Sequence, residues 1–162
     1  MRRKAGFFRN FIFSVEDSLV STVGLLSGVV VAGNSSRTVF STGIILIFVE
    51  AFSMAVGSIL SENTADEFAE KKEEPMSASL PDALIMFGSY FLTGFIPLFP
   101  YVFLPAGTAF PVSIVASLVA LGFLGFMGGR LSRTSSAKGV LKMMVLGGAA
   151  IAIGVAVGAL IK

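Results

Sequence analysis

Long apolar runs alternate along this chain with short stretches that gather most of its charge. The first run predicts a helix over residues 11–32, because at about 1.5 Å per residue such a segment crosses a hydrocarbon core of about 30 Å. Gly33, Asn34 and Ser35 then make a tight polar turn. A second helix is predicted over 38–61, continuing as a polar helix through Glu74 until Pro75 and residues 77–79 end it. The third starts near Pro81, where proline fits a first turn, and runs to Leu104 with a kink or break at Pro97 and Pro100. Pro105, Gly107 and Pro111 mark a short connection. A fourth helix is predicted over 111–130, a basic loop over 131–139, and a fifth helix over 140–161. The expected fold class is an all-α integral membrane protein, a five-helix bundle forming one membrane domain over 1–162. Residues 62–80 would be a short acidic segment on the cytoplasmic side.

Composition strengthens this reading. The chain is 54% hydrophobic and 14% charged, with a mean hydropathy of +0.87. A soluble domain carries about 25% charged residues. A bundle that faces lipid has no need of them. The basic N-terminus followed by apolar residues resembles the start of a signal peptide. However, Glu16 and Asp17 interrupt the apolar stretch and no small-residue cleavage site follows, so a retained first helix is expected.

Charge also orients the bundle. With the N-terminus inside, Arg2, Arg3, Lys4, Arg9, Lys71, Lys72, Arg130, Arg133, Lys138 and Lys142 fall on the cytoplasmic side. Only Arg37 and Lys162, of twelve basic residues in all, fall outside. That bias predicts N-in, C-out topology. It also accounts for the high pI without any nucleic-acid partner.

There is no cysteine and no histidine. Disulfides, thiolate catalysis, histidine-held metal or haem and a Ser-His-Asp triad are thereby excluded. An intramembrane hydrolase would be left with weak Ser/Asp pairs, so the chain reads as no enzyme, with no catalytic residue and no cofactor. Small residues recur at helix-contact spacing in Gly24/Gly28, Gly125/Gly129 and Gly154/Gly158, which favours close helix packing and leaves a dimer open.

Three acidic residues fall within apolar segments, namely Glu16, Asp17 and Glu50. Glu50 lies midway along the second helix, where a charged carboxylate costs at least about 2.5–3.5 kcal/mol to insert. No basic residue shares its helix at that depth, so either it is protonated or a cation visits it. Met54 lies one turn on and shares its face, and Gly57, Ser58 and Ser61 continue the stripe. Asp17, Ser21, Gly24 and Gly28 form a similar stripe on the first helix. Facing each other, the two stripes would line a path with carboxylate oxygens and a thioether, a donor set suited to Fe²⁺ or Mn²⁺. Met54 on its own would read as ordinary packing, and Glu16 and Asp17 could cap or snorkel at an interface. Farther on, Glu62, Asp66 and Glu70 fall at i, i+4 and i+8 beside Glu67. Such a stripe of acids is eased by a bound cation, the alternative being a solvated helix end with a Glu67–Lys71 pair.

These residues resemble the vacuolar iron transporter family. The run from Glu16-Asp17-Ser18 through Ser27-Gly28 is similar to that family's first helix, and Phe52-Ser53-Met54-Ala55-Val56-Gly57 with Leu60-Ser61 to its second. Pro97-Leu98-Phe99-Pro100-Tyr101 resembles the end of its third helix, and residues 139–148 the start of its fifth. The resemblance implies a five-helix protomer, a homodimer with the ion path at its interface, and export of Fe²⁺ or Mn²⁺ from the cytosol against protons. Under it Asp17 and Met54 match the first-helix aspartate and second-helix methionine, and Glu50 matches an acid found one turn before that methionine in many members. Plant-type members carry a further glutamate where this chain has Leu46. The stretch between the second and third helices is short, so a long cytoplasmic metal-binding domain is lacking.

The resulting expectation is a proton-coupled exporter of divalent metal in a prokaryotic plasma membrane, a vacuolar membrane being the alternative. Asp17, Glu50 and Met54 would line the path, and Glu62, Asp66, Glu67 and Glu70 would gather ions at its mouth. The rival is a non-transporting membrane scaffold with a protonated, hydrogen-bonded Glu50.

Overall fold

The computed structural model describes residues 2–71 and 79–162. Within them the chain forms α1 (Arg2–Val31), α2 (Ser36–Glu70), α3 (Leu80–Leu98), a single turn α4 (Pro100–Phe103), α5 (Ala106–Leu131) and α6 (Ser136–Leu160). Five of these helices, all but α4, are long and apolar enough to cross a membrane. No strand occurs among the described residues.

Several ends differ from those the pattern predicts, each for a local reason. α2 begins where Ser35, in an extended conformation, accepts a bond from the Thr38 N–H, which satisfies a donor the helix itself cannot. It stops at Glu70, where Lys71 turns left-handed (φ 53°) and its N–H bonds back to the Glu67 carbonyl. The continuation predicted through Glu74 to Pro75 falls outside the described residues. At 35 residues α2 is about 52 Å long, so its last turns extend well past a hydrocarbon core of about 30 Å.

The predicted third helix is two elements. Pro97 is accommodated inside α3, while Pro100 lacks the N–H that would continue the ladder, and α4 restarts after Phe99. The Ser113 hydroxyl of α5 donates to the Pro97 carbonyl at 2.6 Å, tying the break to its neighbour. α5 starts at Ala106, earlier than residue 111, because Pro111 falls early in the helix and is tolerated within it. α6 starts at Ser136, earlier than residue 140, with Ser135 capping the Lys138 N–H.

α1 is the central helix, packing against α2, α3, α5 and α6, while α2 leans chiefly on α3. The glycine pairs serve contacts within the chain. A Cβ on Gly28 would come 2.7 Å from the Gly154 carbonyl oxygen, and one on Gly24 would come 3.2 Å from that of Ala150. Gly154 and Gly158 press in turn on the backbone of Gly24 and Gly28. Gly125 meets Gly139, and Gly129 meets Ser136, so α6 is seated backbone to backbone on both α1 and α5. Gly94 plays the same part in α3, where a Cβ would lie 2.7 Å from Ile47 and 3.0 Å from Ser18 Oγ. Apolar cores fill the remaining space, one around Leu26, Val39, Ile47, Leu98 and Tyr101, another around Val15, Leu19, Leu121 and Leu124.

Candidate ion path

Residues 50–62 of α2 present every third or fourth side chain to one side. Glu50, Ser53, Met54, Gly57, Ser58, Ser61 and Glu62 all line a single cavity of about 490 Å³. Its other walls are Arg9, Asn10 and Phe13 of α1 and Met86 of α3. The stripe expected from the sequence therefore exists and opens onto free space. It gains a second thioether, Met86, from a helix on which no metal-binding residue was expected.

Of the matching stripe of α1, Ser21, Gly24 and Gly28 meet other helices, so the two stripes are not opposed along their length. Ser21 turns to α3, where its hydroxyl shares a 2.7 Å bond with the Tyr90 hydroxyl. Gly24 and Gly28 turn to α6. At 3.6 residues per turn these positions stay within about 60° of one another, so α3 and α6 both pack over that one face of α1 at successive heights. Asp17 is not among the residues lining the cavity. Its carboxylate is nonetheless within electrostatic range of Glu50, and both are within range of the Tyr90 hydroxyl. Ser18 Oγ donates to the Tyr90 carbonyl at 2.7 Å, which fixes that part of α3 against α1. Tyr90 is fully buried. Among the described residues no three Asp or Glu side chains converge on one point.

A polar cluster lines the far end of the cavity. Asn10, buried on α1, donates from Nδ2 to Glu62 Oε1 of α2 at 2.9 Å and to Asp82 Oδ1 of α3 at 3.5 Å. Ser58 Oγ also lies 3.5 Å from that Glu62 oxygen. One amide thus links three helices. The predicted acidic stripe is consequently divided. Glu62 turns inward to Asn10, Asp66 is exposed, and Glu67 accepts from Asn63 Nδ2 at 3.1 Å. The side chain of Glu70 lies outside the described residues. Glu16 lies instead along a separate cavity between α1, α5 and α6.

Asn10, Asp82, Met86 and Tyr90 were not legible as site residues in the sequence. Asn10 and Asp82 stand near helix ends, where polar side chains are ordinary, and Met86 and Tyr90 sit in an apolar helix, where they read as packing.

Chemically, the cavity offers one carboxylate in mid-helix, a second within electrostatic range, two thioethers and several hydroxyls. Arg9 is its one lining cation among the described residues. Such donors suit a divalent ion of intermediate softness better than an anion.

The sequence profile of the VIT family matches residues 8–82 and 70–159, two segments that overlap at the stretch between α2 and α3. Among curated proteins the chain is similar to Vacuolar iron transporter homolog 4 of Arabidopsis thaliana, with 25% identity over 93% of this chain and 82% of that protein. Five membrane-length helices and a family match running through nearly all of them make this a multi-pass membrane protein, and the chain belongs to the VIT family.

Proposed function

We propose that this protein moves a divalent metal ion, Fe²⁺ or Mn²⁺, across the membrane along the cavity of α2, past Glu50 and Met54 in its wall and with Asp17, outside that wall, acting on the ion through its charge. The observation that carries the proposal is Glu50 itself, a carboxylate in the middle of a membrane-length helix that opens into a cavity beside Met54. A mid-membrane carboxylate is costly unless an ion or proton attends it. Its Arg neighbour in the cavity wall stands at the far end, beside Asn10. Family membership and the similarity to a vacuolar iron transporter homolog support the same reading.

Protons supply the coupling in this reading. When a cation leaves, Glu50 and Asp17 take up protons, and so one site serves both flows. The basic ends of α1, α5 and α6 argue for N-in orientation and transport out of the cytosol. Glu62 and Asp82 sit at that end and would draw cations to the mouth. A second copy of the chain would complete the site. Ser53, Gly57 and Ser61 are exposed on the same side of α2 as the half-buried Glu50, and a polar stripe of this kind is better covered by protein than by lipid.

Flux of Fe²⁺ and Mn²⁺ into proteoliposomes under an imposed pH gradient tests the reading. Met54→Leu keeps the volume and removes the sulfur. It is expected to narrow the preference for Fe²⁺ over Mg²⁺ by about tenfold while the protein stays folded. Unaltered selectivity would remove Met54 from the path. No flux of either ion from folded, inserted protein would leave the scaffold role in its place.

A further inference from the structure

A second cavity shares Arg9 and Phe13 with the one lined by Glu50. It measures about 540 Å³ and is lined by α1, the end of α5 and the start of α6. The packing of α6 creates it. Gly125 and Gly129 bring the α6 backbone against α5, and where glycines make the contact no side chains remain to fill the adjoining space. Gly128, which also lines the cavity, has open space where a Cβ would stand.

Among the described residues three cations line this space, from two helices. Arg9 enters from α1, while Lys138 and Lys142 lie four residues apart on one face of α6. One carboxylate, Glu16, stands against them. The hydroxyls of Thr134 and Ser135 line the same end. The first-turn N–H groups of the 25-residue α6 begin there, adding a partial positive charge. The remaining wall is apolar, with Ile12, Leu124 and Met143 among its residues.

A cationic end joined to an apolar body matches an amphiphile with an anionic head. We propose that this cavity binds an anionic phospholipid of the adjacent leaflet, its phosphate held by Arg9, Lys138 and Lys142 and its glycerol and upper acyl chain against Ile12, Leu124 and Met143. Basic pockets between membrane helices recognise such headgroups by charge. A soluble phosphate would gain nothing from the apolar wall, and a zwitterionic lipid would bring its own cation against the three already present. Arg9 also lines the Glu50 cavity. A phosphate bound here would therefore offset positive charge at the mouth of that cavity. The binding site itself stands whether or not the transport reading holds.

Native mass spectrometry of the full chain, titrated with phosphatidylglycerol or with phosphatidylcholine of the same acyl chains, tests the site. The wild type should retain phosphatidylglycerol preferentially, and excess inorganic phosphate should not displace it. Lys138→Gln and Lys142→Gln should each weaken retention about fivefold. Arg133→Gln, an equal loss of charge at the same end but outside the cavity, should leave it unchanged. Gly128→Leu should abolish retention by filling the cavity, with an unaltered thermal midpoint showing that the fold survives. Equal retention of the two lipids would overturn the proposal, as would an equal loss in Arg133→Gln or full retention in Gly128→Leu. Displacement by inorganic phosphate would reassign the site to a free anion.

Discussion

Asn10 shows how much a single polar side chain decides in a bundle of this kind. Its amide is the shared donor for carboxylates on two other helices. Hydrogen bonds to charged groups contribute about 1.5–3 kcal/mol, so Asn10→Ala should lower stability by about that amount and loosen the contact between α1 and the ends of α2 and α3. Chemical unfolding in detergent, read beside limited proteolysis after residue 62, checks this. An unchanged midpoint would mean that water replaces the amide freely. Tyr90 acts differently. Its hydroxyl bonds Ser21 and lies within range of Asp17 and Glu50, so Tyr90→Phe removes a group that orients the site while keeping the ring. Metal flux should fall by about 10–100-fold with little change in fold, and wild-type flux from the folded variant would place the tyrosine in a purely packing role. Of these residues the sequence announced only those that break an apolar run. Glu50 was visible because a carboxylate is out of place among Ile, Phe and Val, and Met54 only as its neighbour one turn on and through the family resemblance. Asn10 and Asp82 were not, since their meaning arises from a pairing across 72 positions of chain.

At the scale of helices, membrane length and apolar character made all five crossings readable, while their ends were set by chemistry that hydropathy does not carry. Ser35 and Ser135 start α2 and α6 by capping, Lys71 ends α2 in a left-handed turn, and Pro100 divides α3 from α4. The glycine spacings were equally visible, but spacing names neither partner nor direction. Here the pairs seat α6 on α1 and α5, so glycine contact between two copies of the chain is not needed to explain them. Gly154→Ala forces a methyl onto the Gly24 backbone and should destabilise the protein by about 1–3 kcal/mol. Gly148→Ala, with open space around its Cβ, should be neutral or stabilise by up to about 1 kcal/mol, the helix-propensity gain. Thermal unfolding of the pair separates backbone contact from a general preference for glycine, and equal effects would contradict the packing described for α6.

Across the whole molecule, two cavities flank the first part of α1, one lined by Glu50 and thioethers, the other by three cations. Arg9 stands in the wall of both. In the proposed function the first of them carries a cation, with Glu50 as its mid-membrane stop. Pattern alone showed that a carboxylate lies at that depth, but not which helices wall it in. The α1 and α3 walls follow from how Gly94 and the bond from Ser18 to the Tyr90 carbonyl draw those helices together. The most direct test compares metal flux into proteoliposomes for wild type and Glu50→Gln under the same imposed pH gradient, with insertion and fold matched. The substitution keeps the shape and removes the charge. Wild type should show gradient-dependent flux, and the variant should lose it by more than about 100-fold, the upper end of what supporting residues around a metal contribute. Equal flux from the two proteins would contradict the claim and place the ion's route elsewhere in the bundle.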